Sequence, residues 1–249
     1  MIVFLLAASA FAGWIDAVIG GGGLVLIPVL MSATSMPAAS VLATTKVAAI
    51  SGTASAAATL VRRVGVPRVT WIYAFLAGAM AALGARAVSL IDDSVATPII
   101  LILLVGVGIF VALNPKFGQE DASIFSGKRL GLAALAVALI GGYDGVFGPG
   151  TGMFLIMAFT AVFTQGFVRS AAMAKVVNTA TNLGALLVFG LGGFINWKLA
   201  ITLAVANVVG AQLGARTVLK GGSALVRVAL LGLVVTLCAK LGWDLLQHQ

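Results

Sequence analysis

The chain is poor in charge. Its 15 Lys and Arg and 7 Asp and Glu make up 9% of 249 residues, against about one quarter in soluble domains. Hydrophobic residues fill 61% of the positions, an apolar excess that no soluble core absorbs and that lipid does. There is one cysteine, Cys238, inside the apolar run from Ala229 to Leu241, and one histidine, His248. An intrachain disulfide, a cysteine metal cluster, a Ser-His-Asp triad and a Cys-His dyad within one chain are thereby excluded. No metal or cofactor is expected, and the chain does not read as an enzyme. The net charge of +8 is scattered between apolar runs, with no basic patch carrying interleaved aromatics, so it reads as topological charge rather than a nucleic-acid footprint.

What the sequence has in abundance is membrane-spanning length. A helix needs about 20 apolar residues to cross about 30 Å of hydrocarbon, and eight segments qualify. They run from Ile2 to Met31, Pro37 to Val61, Val69 to Ser89, Val95 to Leu113, Leu130 to Thr164, Arg169 to Leu191, Trp197 to Val218 and Ala224 to Leu245. The first resembles a cleavable signal, with Ala8-Ser9-Ala10 as a cleavage-like site, but it carries no Lys or Arg before its apolar run. It is therefore expected to belong to the fold. The stretch from Asn114 to Lys128 is the only extended polar one, and it reads as a linker between two halves.

Those halves are related. Gly13-Trp-Ile-Asp-Ala-Val-Ile-Gly-Gly-Gly-Gly23 aligns with Gly141-Gly-Tyr-Asp-Gly-Val-Phe-Gly-Pro-Gly-Thr151, which places Asp16 on Asp144. Ala43-Thr-Thr-Lys-Val47 aligns with Ala172-Met-Ala-Lys-Val176, and Leu83-Gly-Ala-Arg86 with Leu213-Gly-Ala-Arg216. The offsets are 128, 129 and 130 residues, a drifting register expected of an old duplication. Residues 1–113 are read as an N-terminal repeat, 114–128 as a linker and 129–249 as a C-terminal repeat.

The first and fifth segments are broken by glycine, at Gly20 to Gly23 and at Gly148-Pro-Gly-Thr-Gly152. If each broken segment crossed fully, both halves would point the same way and the basic residues would fall on opposite sides. If each is a re-entrant hairpin, three crossings remain per half and the second half is inverted. Arg62, Arg63, Arg68, Lys116, Lys128, Arg129, Arg169, Arg216, Lys220 and Arg227 then share one side, against Arg86, Lys198 and Lys240 on the other. The positive-inside rule makes the richer side cytoplasmic, with the linker, and puts both termini outside. The expected fold is an all-α polytopic membrane protein of two inverted structural repeats.

Lys46 and Lys175 lie deep in their segments. An ammonium in hydrocarbon costs about 2.5 to 3.5 kcal/mol on insertion scales, so each needs a partner. Thr45 and Ser51 accompany Lys46, while Asn178 and Asn182 follow Lys175 at helical spacing. Helices restarting after the breaks, at Gly22, Gly23, Gly150, Thr151 and Gly152, would present free N–H groups and partial positive charge. Lysines and helix ends meeting near the midplane suit an oxyanion. Asp16 and Asp144 have two readings, as partners of the lysines or as carriers of a coupling proton. Carrier and anion channel both fit such a site.

Gly13-Trp-Ile-Asp16 running into Gly20-Gly-Gly-Gly-Leu24, then Pro28 and Ala43-Thr-Thr-Lys46, resembles the TauE/SafE family of membrane permeases. Lys175 to Asn182 and the Leu-Gly-Ala-Arg sequences fit as well. The resemblance implies transport of sulfite or an organosulfonate such as sulfoacetate across the inner membrane of a prokaryote, often outward. Pro149 and Thr151 stand where the first half has glycines, so the two breaks are not expected to be used identically.

Overall fold

The computed structural model describes residues 1–87 and 122–247. The expected segment from Val95 to Leu113 and the linker up to residue 121 lie outside them. The described residues form eight helices and no strand: α1 (Ile2–Ile19), α2 (Gly22–Ala33), α3 (Ala38–Val64), α4 (Val69–Ala87), α5 (Gly127–Val146), α6 (Thr151–Phe163), α7 (Phe167–Leu191) and α8 (Trp197–Gln247). Five are long and apolar enough to cross a membrane: α1, α4, α5, α7 and the Trp197–Gly221 stretch of α8. α3 is longer than most, but its threonines, serines, Lys46 and terminal arginines lower its hydropathy, and its place is in the interior.

The outward faces are apolar. Leu132, Leu135 and Leu139 of α5 and Ile201, Val205, Val209 and Leu213 of α8 are exposed at helical spacing, the reverse of a soluble bundle and the surface that lipid requires. Small residues fill the inside, where Ala17, Ala56, Ala77, Ala81, Ala172 and Ala215 are buried and let backbones approach closely.

Both glycine breaks reverse the chain. α1 ends on Gly20 at φ 81°, and α2 returns along it, with Gly22 against Ala12 and Leu26 and Leu30 packed with Leu5. α6 likewise returns along α5. The Arg129 guanidinium donates to the Val162 carbonyl at 3.0 Å and to Thr164 Oγ1 at 2.8 Å, and the Phe125 and Phe163 rings lie 4.6 Å apart.

Helix direction follows from contact register. α1 and α8 run together, Gly210 meeting Ala10 and Gly214 meeting Trp14; α4 and α5 run together, Ala77 meeting Gly141 and Ala81 meeting Gly145. α3 also follows α8, from the Asn196 N–H donated to Thr44 Oγ1 at 3.2 Å to the Thr59 hydroxyl donated to Gln212 Oε1 at 3.0 Å. α3 and α7 run oppositely: Ala43 and Val47 near the start of α3 cluster with Ala185 and Phe189 near the end of α7, whereas Ala57 and Val61 lie beside Val176 and Thr179. Equivalent contacts recur at the sequence offsets. A Cβ on Gly13 would stand 2.3 Å from the Asn207 carbonyl oxygen, and one on Gly141 would stand 2.7 Å from that of Ala77.

One boundary expected from the sequence is corrected. Val218 and Ala224 were to end and begin separate segments, yet α8 is continuous through them as a helix of 51 residues. Gly221 and Gly222 each weaken a helix by only about 1 kcal/mol, and no proline is there to remove a backbone donor. At about 1.5 Å per residue the helix is longer than two hydrocarbon thicknesses.

Candidate functional site

The two breaks meet back to back at the centre of the bundle. The Met153 N–H donates to the Gly20 carbonyl at 3.3 Å, and a Cβ on Gly20 would stand 2.2 Å from the Gly152 carbonyl carbon. Only glycine serves at Gly20, because the left-handed φ and the opposing backbone both exclude a side chain.

The helical hairpins carry the aspartates, and the long helices α3 and α7 carry the lysines, each eight residues after its helix begins. The pairing is crossed. Lys46 of α3 donates to Asp144 of α5, at 2.7 Å to Oδ2 and 3.0 Å to the backbone carbonyl. Lys175 of α7 donates to Asp16 of α1, at 2.7 Å to Oδ2 and also to its carbonyl oxygen. Carbonyls near the C-terminus of a helix hold partial negative charge, so each ammonium meets a carboxylate and a helix end together. Lys175 is 0% exposed and Lys46 7%.

Between the pairs is a cavity of about 30 Å³, room for a water or two. Lys46, Asp144, Asp16, Thr45, Asn178, Asn182, Gly23 and Gly152 line it, with Ile27, Leu42, Ala49, Phe147, Gly20 and Gly148. Three donors on residues that line it are uncommitted. Thr45 Oγ1 is buried with no hydrogen-bond partner. The N–H groups of Gly23 and Gly152, in the first turns of α2 and α6, have no acceptor among the described residues. Asn182 is itself oriented by donating to the Asn178 carbonyl at 2.8 Å.

The remaining residues singled out in the sequence sit elsewhere. Lys175 is covered by Asp16 and does not line the cavity. The Ser51 hydroxyl turns back to its own helix, donating to the Val47 carbonyl at 2.9 Å. The Gly22 N–H is taken by Asp16 Oδ1 at 3.3 Å, and Thr151 Oγ1 donates to Asp144 Oδ1 at 2.7 Å. Gly150, at φ 81°, is the turn residue before α6. Sequence reasoning did not place Gly20 and Gly148, the left-handed residues just after the first arm of each hairpin, among the site residues. A Cβ on Gly148 would lie 3.1 Å from Lys46 Nζ. Both belong to the glycine runs already noted, so the signal was present.

Apolar helices exposed to lipid around a small polar centre, with buried charges paired across it, make this a multi-pass membrane transporter. The chain matches the sulfite exporter TauE/SafE family model over residues 5–241 and belongs to that family. It is 36% identical over 246 residues to the probable membrane transporter protein YfcA of Escherichia coli K12, covering 96% of this chain and 89% of that one. A probable membrane transporter protein of Haemophilus influenzae is 34% identical over 251 residues, covering 98% and 95%. The probable membrane transporter protein ORF9 of a Sinorhizobium species is 31% identical over 242 residues, covering 97% and 92%. No solved structure matches the chain significantly.

Proposed function

We propose that the chain is a secondary carrier of a small oxyanion, sulfite or an organosulfonate such as sulfoacetate, moved outward across a prokaryotic inner membrane by alternating access. The observation that carries this reading is the cavity itself, lined by Lys46, Thr45, Gly23 and Gly152, which offer an ammonium, a hydroxyl and two N–H groups. All are donors, and three oxygens on a tetrahedral sulfur can use them together. The name of the family supplies sulfur; the donors supply only the oxyanion.

The opposed directions of α3 and α7, the two hairpins and the matching contacts at the repeat offset support two inverted repeats, 1–113 and 129–249, with re-entrant α1–α2 and α5–α6. In that arrangement one half rocks against the other about a site on their shared axis. Arg62, Arg63, Arg68, Lys128, Arg129 and Arg169 then gather at one end, which the positive-inside rule makes cytoplasmic with the linker. Ser51 and Lys175 support the site from behind rather than touching the anion.

The test uses purified protein in liposomes loaded with sulfite or sulfoacetate. A carrier exchanges labelled anion in a saturable way and shows counterflow, whereas flux that never saturates indicates a channel. Removing Lys46 alone leaves a buried carboxylate unpaired, at a cost of about 3–5 kcal/mol, so Lys46→Met is made together with Asp144→Asn. Exchange is expected to vanish while the protein stays monodisperse. Undiminished exchange would sink the assignment.

A further inference from the structure

The two Lys–Asp pairs are equivalent in sequence and unequal in surroundings. Resting on the anion-carrier reading, we propose that Asp144, and not Asp16, takes up one proton each time an anion binds at Lys46, so that anion and proton cross together.

Access separates the pairs first. Lys46 and Asp144 both line the cavity, so an anion there can reach the ammonium. Lys175 is fully buried and does not line the cavity; its pair shows the cavity only the Asp16 carboxylate, which repels an anion. An anion at Lys46 puts a second negative charge beside Asp144, which is 2% exposed. Two anionic groups then share one buried ammonium, and one proton restores the charge balance of the site. The change balances: Lys46-NH3⁺ with Asp144-COO⁻, plus anion and H⁺, becomes Lys46-NH3⁺ with the anion beside Asp144-COOH.

The second difference is the group facing the other carboxylate oxygen. Asp16 Oδ1 faces the Gly22 N–H, which only donates and cannot accept from a carboxyl O–H. Asp144 Oδ1 faces the Thr151 hydroxyl at 2.7 Å, and that oxygen also lies 2.9 Å from the Gly148 carbonyl. One hydroxyl hydrogen serves one of these acceptors at a time. With Asp144 ionised it points to the carboxylate. With Asp144 protonated it swings to Gly148, and Thr151 Oγ1 accepts from the new carboxyl O–H. Both protonation states are satisfied without moving a heavy atom.

No other charge at Asp144 competes for this function among the described residues. α3 brings Lys46, and α1 brings Asp16 across the cavity, already paired with Lys175 of α7. α6 brings Thr151. α4 packs on this part of α5 through Ala81 and Ala85, and its one charged side chain, Arg86, is exposed. Tyr143, next in the chain, donates its hydroxyl to the Pro149 carbonyl at 2.6 Å.

The experiment measures sulfoacetate binding to the whole purified protein as a function of pH, because sulfite itself takes up a proton near neutrality. In the wild type, Kd is expected to rise about tenfold per pH unit on the alkaline side, with about one proton taken up per anion in weakly buffered solution. Asp144→Asn, which mimics the protonated acid, should bind with a flat pH profile and no proton uptake. Thr151→Ser, which keeps the hydroxyl, should retain the wild-type slope. A flat wild-type profile, or a slope that survives Asp144→Asn, overturns the coupling while leaving the anion site standing. Failure to bind sulfite, sulfate and sulfoacetate at any pH overturns the site itself and the coupling with it.

Discussion

Thr45 separates binding from stability at a single residue. Its hydroxyl is buried and unpartnered, and a buried hydroxyl without a partner destabilises a fold by about 1–3 kcal/mol. Thr45→Val keeps the shape and removes that group. Melting temperature in detergent is therefore expected to hold or rise, while anion affinity falls by about tenfold, the worth of one hydrogen bond to a charged acceptor. A hydroxyl of purely structural use gives the opposite pair of results. Gly20 behaves differently, because any side chain there meets the backbone of Gly152. Gly20→Ala is expected to abolish assembly, seen as loss of monodisperse protein on gel filtration, and not merely to weaken transport. Much of this was legible in the chain. Asn178 and Asn182 follow Lys175 by three and seven residues and share its side of the helix, and both reach the cavity. Ser51 follows Lys46 by five residues, about 140° around the helix, so its distance from the site was implicit in helical geometry. Proximity in sequence is a poorer guide than angle. That Lys46 reaches Asp144 and Lys175 reaches Asp16 was not legible, since a duplication fixes which residues are equivalent but not whether partners lie within a half or across.

At the scale of elements, α2 and α6, the returning arms of the two hairpins, are unequally buried. α6 is buried along almost its whole length, from Thr151 to Phe163, whereas α2 buries only Gly22, Leu26 and Leu30. The ring of Tyr73 stacks on Phe159 at 6.1 Å and on Phe163 at 6.5 Å, and together with Phe125 these aromatics fill the end of the bundle near the linker. The cavity, by contrast, is lined toward the other end by Ile27 of α2 and Leu42 of α3. Phe159→Ala is expected to lower unfolding free energy by about 3–5 kcal/mol, measured by denaturant titration in detergent. If that ring cluster also seals the linker side, a cysteine replacing Ile156 should resist maleimide in the wild-type background and react once Phe159 is alanine. The glycine breaks were visible in the sequence because they interrupt apolar runs. The continuity of α8 was not, because Gly221 and Gly222 look like a turn and only the neighbouring backbone decides whether they form one.

The proposed inversion of the halves assigns each end of the molecule to one compartment. With Cys238 replaced by alanine, a cysteine at Ser126 should react with an impermeant maleimide only in inside-out vesicles, and one at Ser35 only in right-side-out vesicles. The reverse pattern removes the cytoplasmic placement of the linker, and labelling of both from one side removes the inversion of the halves. The crossed ion pairs bear on how such a chain is made. Lys46 and Asp144 are 98 residues apart, and Asp16 and Lys175 are 159 apart, so the ribosome delivers one member of each pair to the bilayer long before the other exists. During that interval the nascent first half holds an acid and a base with no permanent mates, and shielding must come from each other, from the insertion machinery or from water. Fragments 1–113 and 114–249 made separately should therefore be degraded in the cell, and their co-expression should protect both.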